Sequence, residues 1–167
     1  PGGVFAHHCP RFEYRPQQVE MLRAVTQAFS QGQHLLVEAG TGTGKSMAYL
    51  IPAALWALHN NCRVVISTNT INLQDQLINK DIPDLTAALG YNLGASILKG
   101  RTNYLCPRRL EYLRRRGPST VDELRVLGKV LVWLQETRTG DRGEINLNGP
   151  SERDAWMRIN AEDEGCS

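Results

Sequence analysis

Leu35-Leu36-Val37-Glu38-Ala39-Gly40-Thr41-Gly42-Thr43-Gly44-Lys45-Ser46 is the stretch on which the fold turns. Three apolar residues lead into a loop of glycine and threonine. That loop leads into Lys45 to His59, which is apolar nearly all round. The order predicts a buried strand, a tight loop and a buried helix. Gly40, Gly42 and Gly44 let the backbone curl about an anion with its N–H groups inward. The helix opened by Gly44 turns the positive end of its dipole to the same place. Lys45 suits the β- and γ-phosphates of a nucleoside triphosphate, and the Ser46 hydroxyl suits Mg²⁺. Ala39 to Ser46 is therefore read as a cradle for the phosphates of a nucleotide with Mg²⁺. The strict pattern has Gly where Ala39 stands; the relaxed form arises by chance in roughly 1% of chains this long.

Working outward, Arg15 to Gln31 predicts an amphipathic helix through Val19, Leu22, Val25 and Phe29, stopped by Gly32. Downstream, Lys45 to His59 is expected to kink at Pro52. Arg63 to Ser67, with Val64-Val65-Ile66, predicts a second buried strand, and Cys62 before it a small core residue. Thr70 to Asn79 predicts a helix, and Ala95 to Leu98 a third, weaker strand. Strand and helix alternating in this way predict an α/β fold: a parallel sheet with helices on both faces. After Gly100 the strand-like runs stop. Tyr104 to Arg116 predicts a basic helix. Ser119 to Glu136 predicts an amphipathic one, with Val121, Leu124, Leu127, Leu131 and Leu134 on its buried face and Ser119 with Asp122 as a capping box. Pro150 to Asn160 predicts a short helix capped by Ser151, after a polar loop over Gly140 to Gly149. The expected boundary lies near Gly100, with an α/β part over 1–100 and a helical part over 101–167.

Composition excludes several classes. Of 167 residues, 41% are hydrophobic and 22% charged, which is enough for a core. Nineteen basic against 17 acidic residues leave a net charge of +2, which demands neither nucleic acid nor membrane. No run is long and apolar enough to cross a bilayer, so no membrane partner is expected. Pro1 to His8 does not read as a signal peptide, and a chain opening on Pro is expected to be part of something longer. Cys9, Cys62, Cys106 and Cys166 are too scattered for a disulfide scaffold and contain no C-x-x-C zinc motif. A reducing cytoplasm is the expected location.

Hydrolysis also needs a carboxylate at the end of a second strand. Asp122-Glu123 sits at a helix start and Asp163-Glu164 follows no strand, so neither qualifies. The chain is expected to bind nucleotide without efficient turnover.

Four segments in order carry a resemblance: Arg15-Pro16-Gln17-Gln18, Glu38 to Ser46, Ser67-Thr68-Asn69-Thr70-Ile71-Asn72-Leu73-Gln74, and Lys99-Gly100-Arg101-Thr102-Asn103-Tyr104-Leu105-Cys106. The chain resembles the DinG/XPD-type superfamily-two DNA helicases over nearly its whole length, and most of all the bacterial DinG branch. The resemblance implies a P-loop, RecA-like sheet. It implies an ATP-dependent 5′-to-3′ DNA helicase that loads on single-stranded DNA and works as a monomer. It places Gln18 on the adenine edge with Arg15 nearby. It places Thr68, Asn69, Thr70 and Gln74 on the DNA backbone. It makes Cys106 and Cys166 two ligands of a 4Fe–4S cluster, in an iron–sulfur domain that 101–167 would hold only in part. An ordinary buried thiol is the other reading of Cys106. His7, His8 and Cys9 together would suit a stray metal ion, although a disordered terminus explains them too.

From Arg101 to Thr120 there are six arginines and one acid, Glu111. Tyr104 and Tyr112 lie among them. With the resemblance, Arg114, Arg115 and Arg116 are expected to touch a DNA strand; without it, they read as a solvated helix face. Another phosphate-loop enzyme, such as a small-molecule kinase, and a non-catalytic binding module remain open beside the helicase.

Overall fold

In the computed structural model, residues 13–162 are described. His7, His8, Cys9, Cys166 and the Asp163-Glu164 pair lie outside that range. The chain divides into two units, Pro1–Ile97 and Leu98–Ser167.

In the first unit, helix α1 spans Pro16–Gln31. Pro16 occupies its first position, where a missing N–H costs nothing. Gly32 ends it in the left-handed region at φ 62°, and the Gln33 N–H reaches back to the Ala28 carbonyl at 3.0 Å. Helix α2 spans Lys45–Asn60 and continues through Pro52. The two helices meet where Phe29 stacks on Trp56, with ring centroids 5.6 Å apart. Helix α3, Ile71–Gln76, is capped by the Thr70 hydroxyl, which accepts from the Leu73 N–H. It then widens into a π segment, Leu77–Asp81, before α4, Ile82–Leu89. Pro83 explains the widening. Its ring crowds the carbonyl four residues back and it has no N–H to offer. An inserted wide turn absorbs both, and the Ile82 N–H bonds to the Leu77 carbonyl five residues away. Leu50, Leu77 and Leu85 form the core of this unit.

The expected sheet is not seen among the described residues. Among the described residues no strand forms, and Leu35–Val37, Arg63–Ser67 and Ala95–Leu98 have no regular structure. A parallel ladder needs a neighbour in register, and none of the three runs lies in one with another. Leu36, Val65 and Leu98 are consequently 99, 89 and 83% exposed. Cys62, expected in the core, is exposed for the same reason.

The second unit opens with a 3-10 turn, Arg101–Asn103, followed by α5, Pro107–Arg116, α6, Val121–Trp133, a second 3-10 turn, Arg142–Glu144, and α7, Pro150–Met157. Isolated bridges join Tyr104 to Asp141 and Leu105 to Asn160. Lys99 and Asp141 form a buried ion pair at 2.7 Å. Trp133 and Trp156 meet edge-on with centroids 6.2 Å apart, at the centre of the core. Two local expectations are corrected. The cap of α6 is Thr120, not Ser119, and the cap of α7 is Gly149, not Ser151. The buried face of α6 carries Glu123, Val126, Leu127, Val130 and Trp133. Val121, Leu124, Leu131 and Leu134, expected inside, lie at the surface.

Candidate functional site

The loop between Val37 and α2 is held by its carbonyls. The Lys45 Nζ donates to the carbonyls of Ala39 at 2.9 Å and Gly40 at 2.5 Å. The Thr43 hydroxyl donates to Gly40 at 3.0 Å. An Arg15 guanidinium N–H donates to Gly42, and the Gln18 Nε2 donates to Gly44 at 2.9 Å. The N–H groups are in the opposite state. Among the described residues no hydrogen bond uses those of Thr41 to Ser46. Carbonyls tied down with amides left over is the polarity an anion needs.

Two glycines of the loop are required by geometry. Gly42 and Gly44 have φ of 79° and 80°, the left-handed region. At Gly44 a Cβ would also run into the Gln18 amide. Gln18 thus rests against the loop itself, at the mouth of α2, with Arg15 beside Gly42. Arg15 is steadied in turn by Glu13, at 2.7 Å.

Ser46, the expected Mg²⁺ ligand, stands in the first turn of α2 and shares a hydrogen bond with the Tyr49 hydroxyl. Burial raises the Tyr49 phenol above its ordinary range. The bond with Ser46 pulls it down, and the charge of Asp81 pushes it up. Asp81 is buried on the π segment, where the Gln76 amide donates to it at 3.1 Å. Sequence reasoning missed Tyr49 and Asp81: an acid at a buried helical position leaves no mark in hydrophobic periodicity. The signal available was Pro83, two residues on.

Thr68 and Thr70 are engaged locally. The Thr68 hydroxyl donates to the Thr70 carbonyl at 3.1 Å, and Thr70 caps α3. Asn69 and Thr70 are exposed, and Gln74, inside α3, is half-buried.

In the second unit, Cys106 is buried at the N-terminus of α5, its N–H donating to the Ile159 carbonyl at 2.8 Å. Among the described residues no group of three or more His, Cys, Asp or Glu could hold a metal ion. A cubane cluster takes four thiolates, and the described residues do not supply that set. The three expected DNA-contacting arginines are occupied. Arg114 and Arg115 pair with Glu111 at 3.3 and 2.9 Å, and Arg116 pairs with Glu123 at 2.9 Å. Asp122-Glu123 does not act as a catalytic pair: Asp122 bonds Arg125 at 3.4 Å, and Glu123 faces Arg116 and Arg158.

The pattern of the DEAD/DEAH box helicases matches residues 15–112, more than half of the chain. The chain belongs to the DEAD/DEAH box helicase family. This bears out the helicase resemblance and implies a P-loop fold of RecA type, whose helices and loop are seen here without the sheet. Among curated relatives, the chain is 39% identical over 169 residues to the ATP-dependent DNA helicase YoaA of Escherichia coli K12. It is 38% identical over 155 residues to the 3′-5′ exonuclease DinG of Bacillus subtilis 168, and 38% identical over 170 residues to the ATP-dependent helicase DinG of Mycobacterium tuberculosis H37Rv. The matches cover 99, 93 and 91% of this DEAD/DEAH box chain, but 26, 16 and 25% of those proteins. The chain therefore spans about a quarter or less of their length. No helix among its described residues is long and apolar enough to cross a membrane.

Proposed function

We propose that this chain is the nucleotide-binding portion of an ATP-dependent DNA helicase that moves 5′ to 3′ along single-stranded DNA as a monomer. Residues 1–100 are the start of the motor domain and 101–167 part of an iron–sulfur domain. The observation that carries the reading is the loop from Ala39 to Ser46, with its carbonyls tied and its amides free for a triphosphate. Lys45 would leave the carbonyls of Ala39 and Gly40 for the β- and γ-phosphates. Ser46, held by Tyr49, would bind Mg²⁺, which supplies charge neutralisation on the phosphates when bound. Gln18 and Arg15 link the base-reading segment to the loop, so recognition of adenine and order in the loop would be coupled. Support for Cys106 as a cluster ligand is the resemblance and its burial at a helix N-terminus.

Two measurements test the proposal. Lys45→Ala in this chain is expected to abolish binding of a fluorescent ATP analogue, followed by anisotropy. Binding as tight as in the unsubstituted chain would remove the cradle. In the full-length protein, ATP hydrolysis is expected to rise on adding single-stranded DNA, and unwinding to require a 5′ rather than a 3′ tail. Hydrolysis indifferent to DNA would refute the helicase reading, and a 3′ requirement the polarity.

A further inference from the structure

We propose that the second unit binds the sugar–phosphate backbone and one base of a single DNA strand in a groove between α5 and the end of α7. The strand enters through Arg108 and Tyr112, not through Arg114 and Arg115. This rests on the helicase reading above and assigns its DNA contact to different residues.

The groove has a volume of about 750 Å³ and is lined by Arg108, Arg109, Tyr112, Arg116, Met157 and Arg158. Arg108, Tyr112 and Arg116 recur every four residues, so they share one face of α5. Arg114 and Arg115 bond to Glu111. Among the described residues four guanidiniums line the groove and no carboxylate does. Among the described residues Glu162 reaches Arg109 at 2.7 Å, and Glu123 is shared by Arg116 and Arg158. Among the described residues the Arg108 guanidinium has no hydrogen bond or ion pair.

The acids also do something useful. Glu123 is fixed by the Ser119 N–H at 2.6 Å and pins Arg116 and Arg158 from the side away from solvent. A guanidinium has five N–H donors and a carboxylate engages only some of them. The remaining donors are held in place, which lowers the entropic cost of binding a phosphate. Between these cations Tyr112 is 68% exposed, and Met157 lines the same groove. An exposed ring among guanidiniums suits a nucleobase, which stacks on it, next to a phosphate, which pairs with the cations. A polyanion without rings would leave Tyr112 unused.

The test uses the full-length protein and a fluorescein-labelled oligothymidylate, with anisotropy read over a range of salt. Arg108→Ala and Tyr112→Ala are chosen because both side chains are exposed and neither touches Glu123, so folding survives; tryptophan fluorescence checks this. Arg108→Ala is expected to weaken binding about threefold and to flatten the slope of log K against log salt by about 0.7, one phosphate's share on a single strand. Tyr112→Ala is expected to weaken binding about fivefold or more with the slope unchanged, the signature of lost stacking. The double variant of Arg114 and Arg115 to Ala is expected to bind as the unsubstituted protein does. The groove is overturned if the Arg114 and Arg115 pair carries the salt slope and Arg108 does not. An unchanged affinity on Tyr112→Ala reduces it to a plain anion site and overturns the strand assignment. If the unsubstituted protein binds no single strand, the helicase reading itself fails, and that result is distinct from both.

Discussion

Glu123 shows how one side chain can organise a unit. It is 2% exposed, yet charged. The Ser119 N–H, above all, holds its carboxyl below the usual carboxylate range; burial opposes this, and Arg158 and Arg116 add to the lowering. A carboxyl that keeps its charge to lower pH when folded than when unfolded stabilises the fold fully above the unfolded value of about 4.3. That stability is lost as pH falls through the lower folded value. Glu123→Gln leaves two guanidiniums beside a neutral amide and is expected to cost about 3 kcal/mol at pH 7. At pH 3 the gap between variant and unsubstituted chain should narrow. Urea unfolding followed by Trp133 and Trp156, in a Trp56→Phe background, measures it. A gap equal at both pH values would show that the charge contributes nothing.

At the scale of elements, α6 separates two competing caps. Thr120 accepts the Glu123 N–H at 3.1 Å, whereas the Ser119 hydroxyl is engaged only by Arg116 among the described residues. Thr120→Ala is expected to cost about 1 kcal/mol and Ser119→Ala much less, by the same unfolding measurement. Equal losses would return the cap to Ser119. That helix was legible as a helix because its apolar residues recur at the right period. Its phase was not. Val121, Leu124 and Leu131 make as good a stripe as Val126, Val130 and Trp133. The ion pairs that turn Glu123 inward lie far apart in sequence, at Arg116 and Arg158. The turns of the loop were legible at Gly42 and Gly44, whose left-handed φ values a run of glycines before Lys-Ser allows, while the strand expected before it did not form among the described residues. The helix expected over Thr70 to Asn79 took in the start of the π segment at Leu77–Asp81 without its widening, and helix α4 was not read, though Pro83 marked the place. For the basic segment, composition showed the charge but not which arginines Glu111 and Glu123 would take.

For the whole molecule the open matter is the sheet. Leu35–Val37 and Arg63–Ser67 have the composition of buried strands and the exposure of loops. Burying Leu36 or Val65 would recover about 1.5–3 kcal/mol each, so these runs are strongly driven to find a neighbour. Parallel strands take theirs from distant parts of a chain, and the relatives are about four to six times as long as the stretch matched here. Among the described residues no hydrogen bond involves the N–H groups of residues 35–37 or 63–67. Amide hydrogen exchange on this chain is therefore expected to be fast at 35–37 and 63–67 and slow in the middle of α2 and α6. In the full-length protein the same two runs should become as slow as the helices. Slow exchange at both runs in this chain would mean that they already pair, and that the parallel sheet expected from the sequence forms without further strands. Fast exchange in the full-length protein would remove them from any sheet and leave the phosphate loop standing on helix α2 alone.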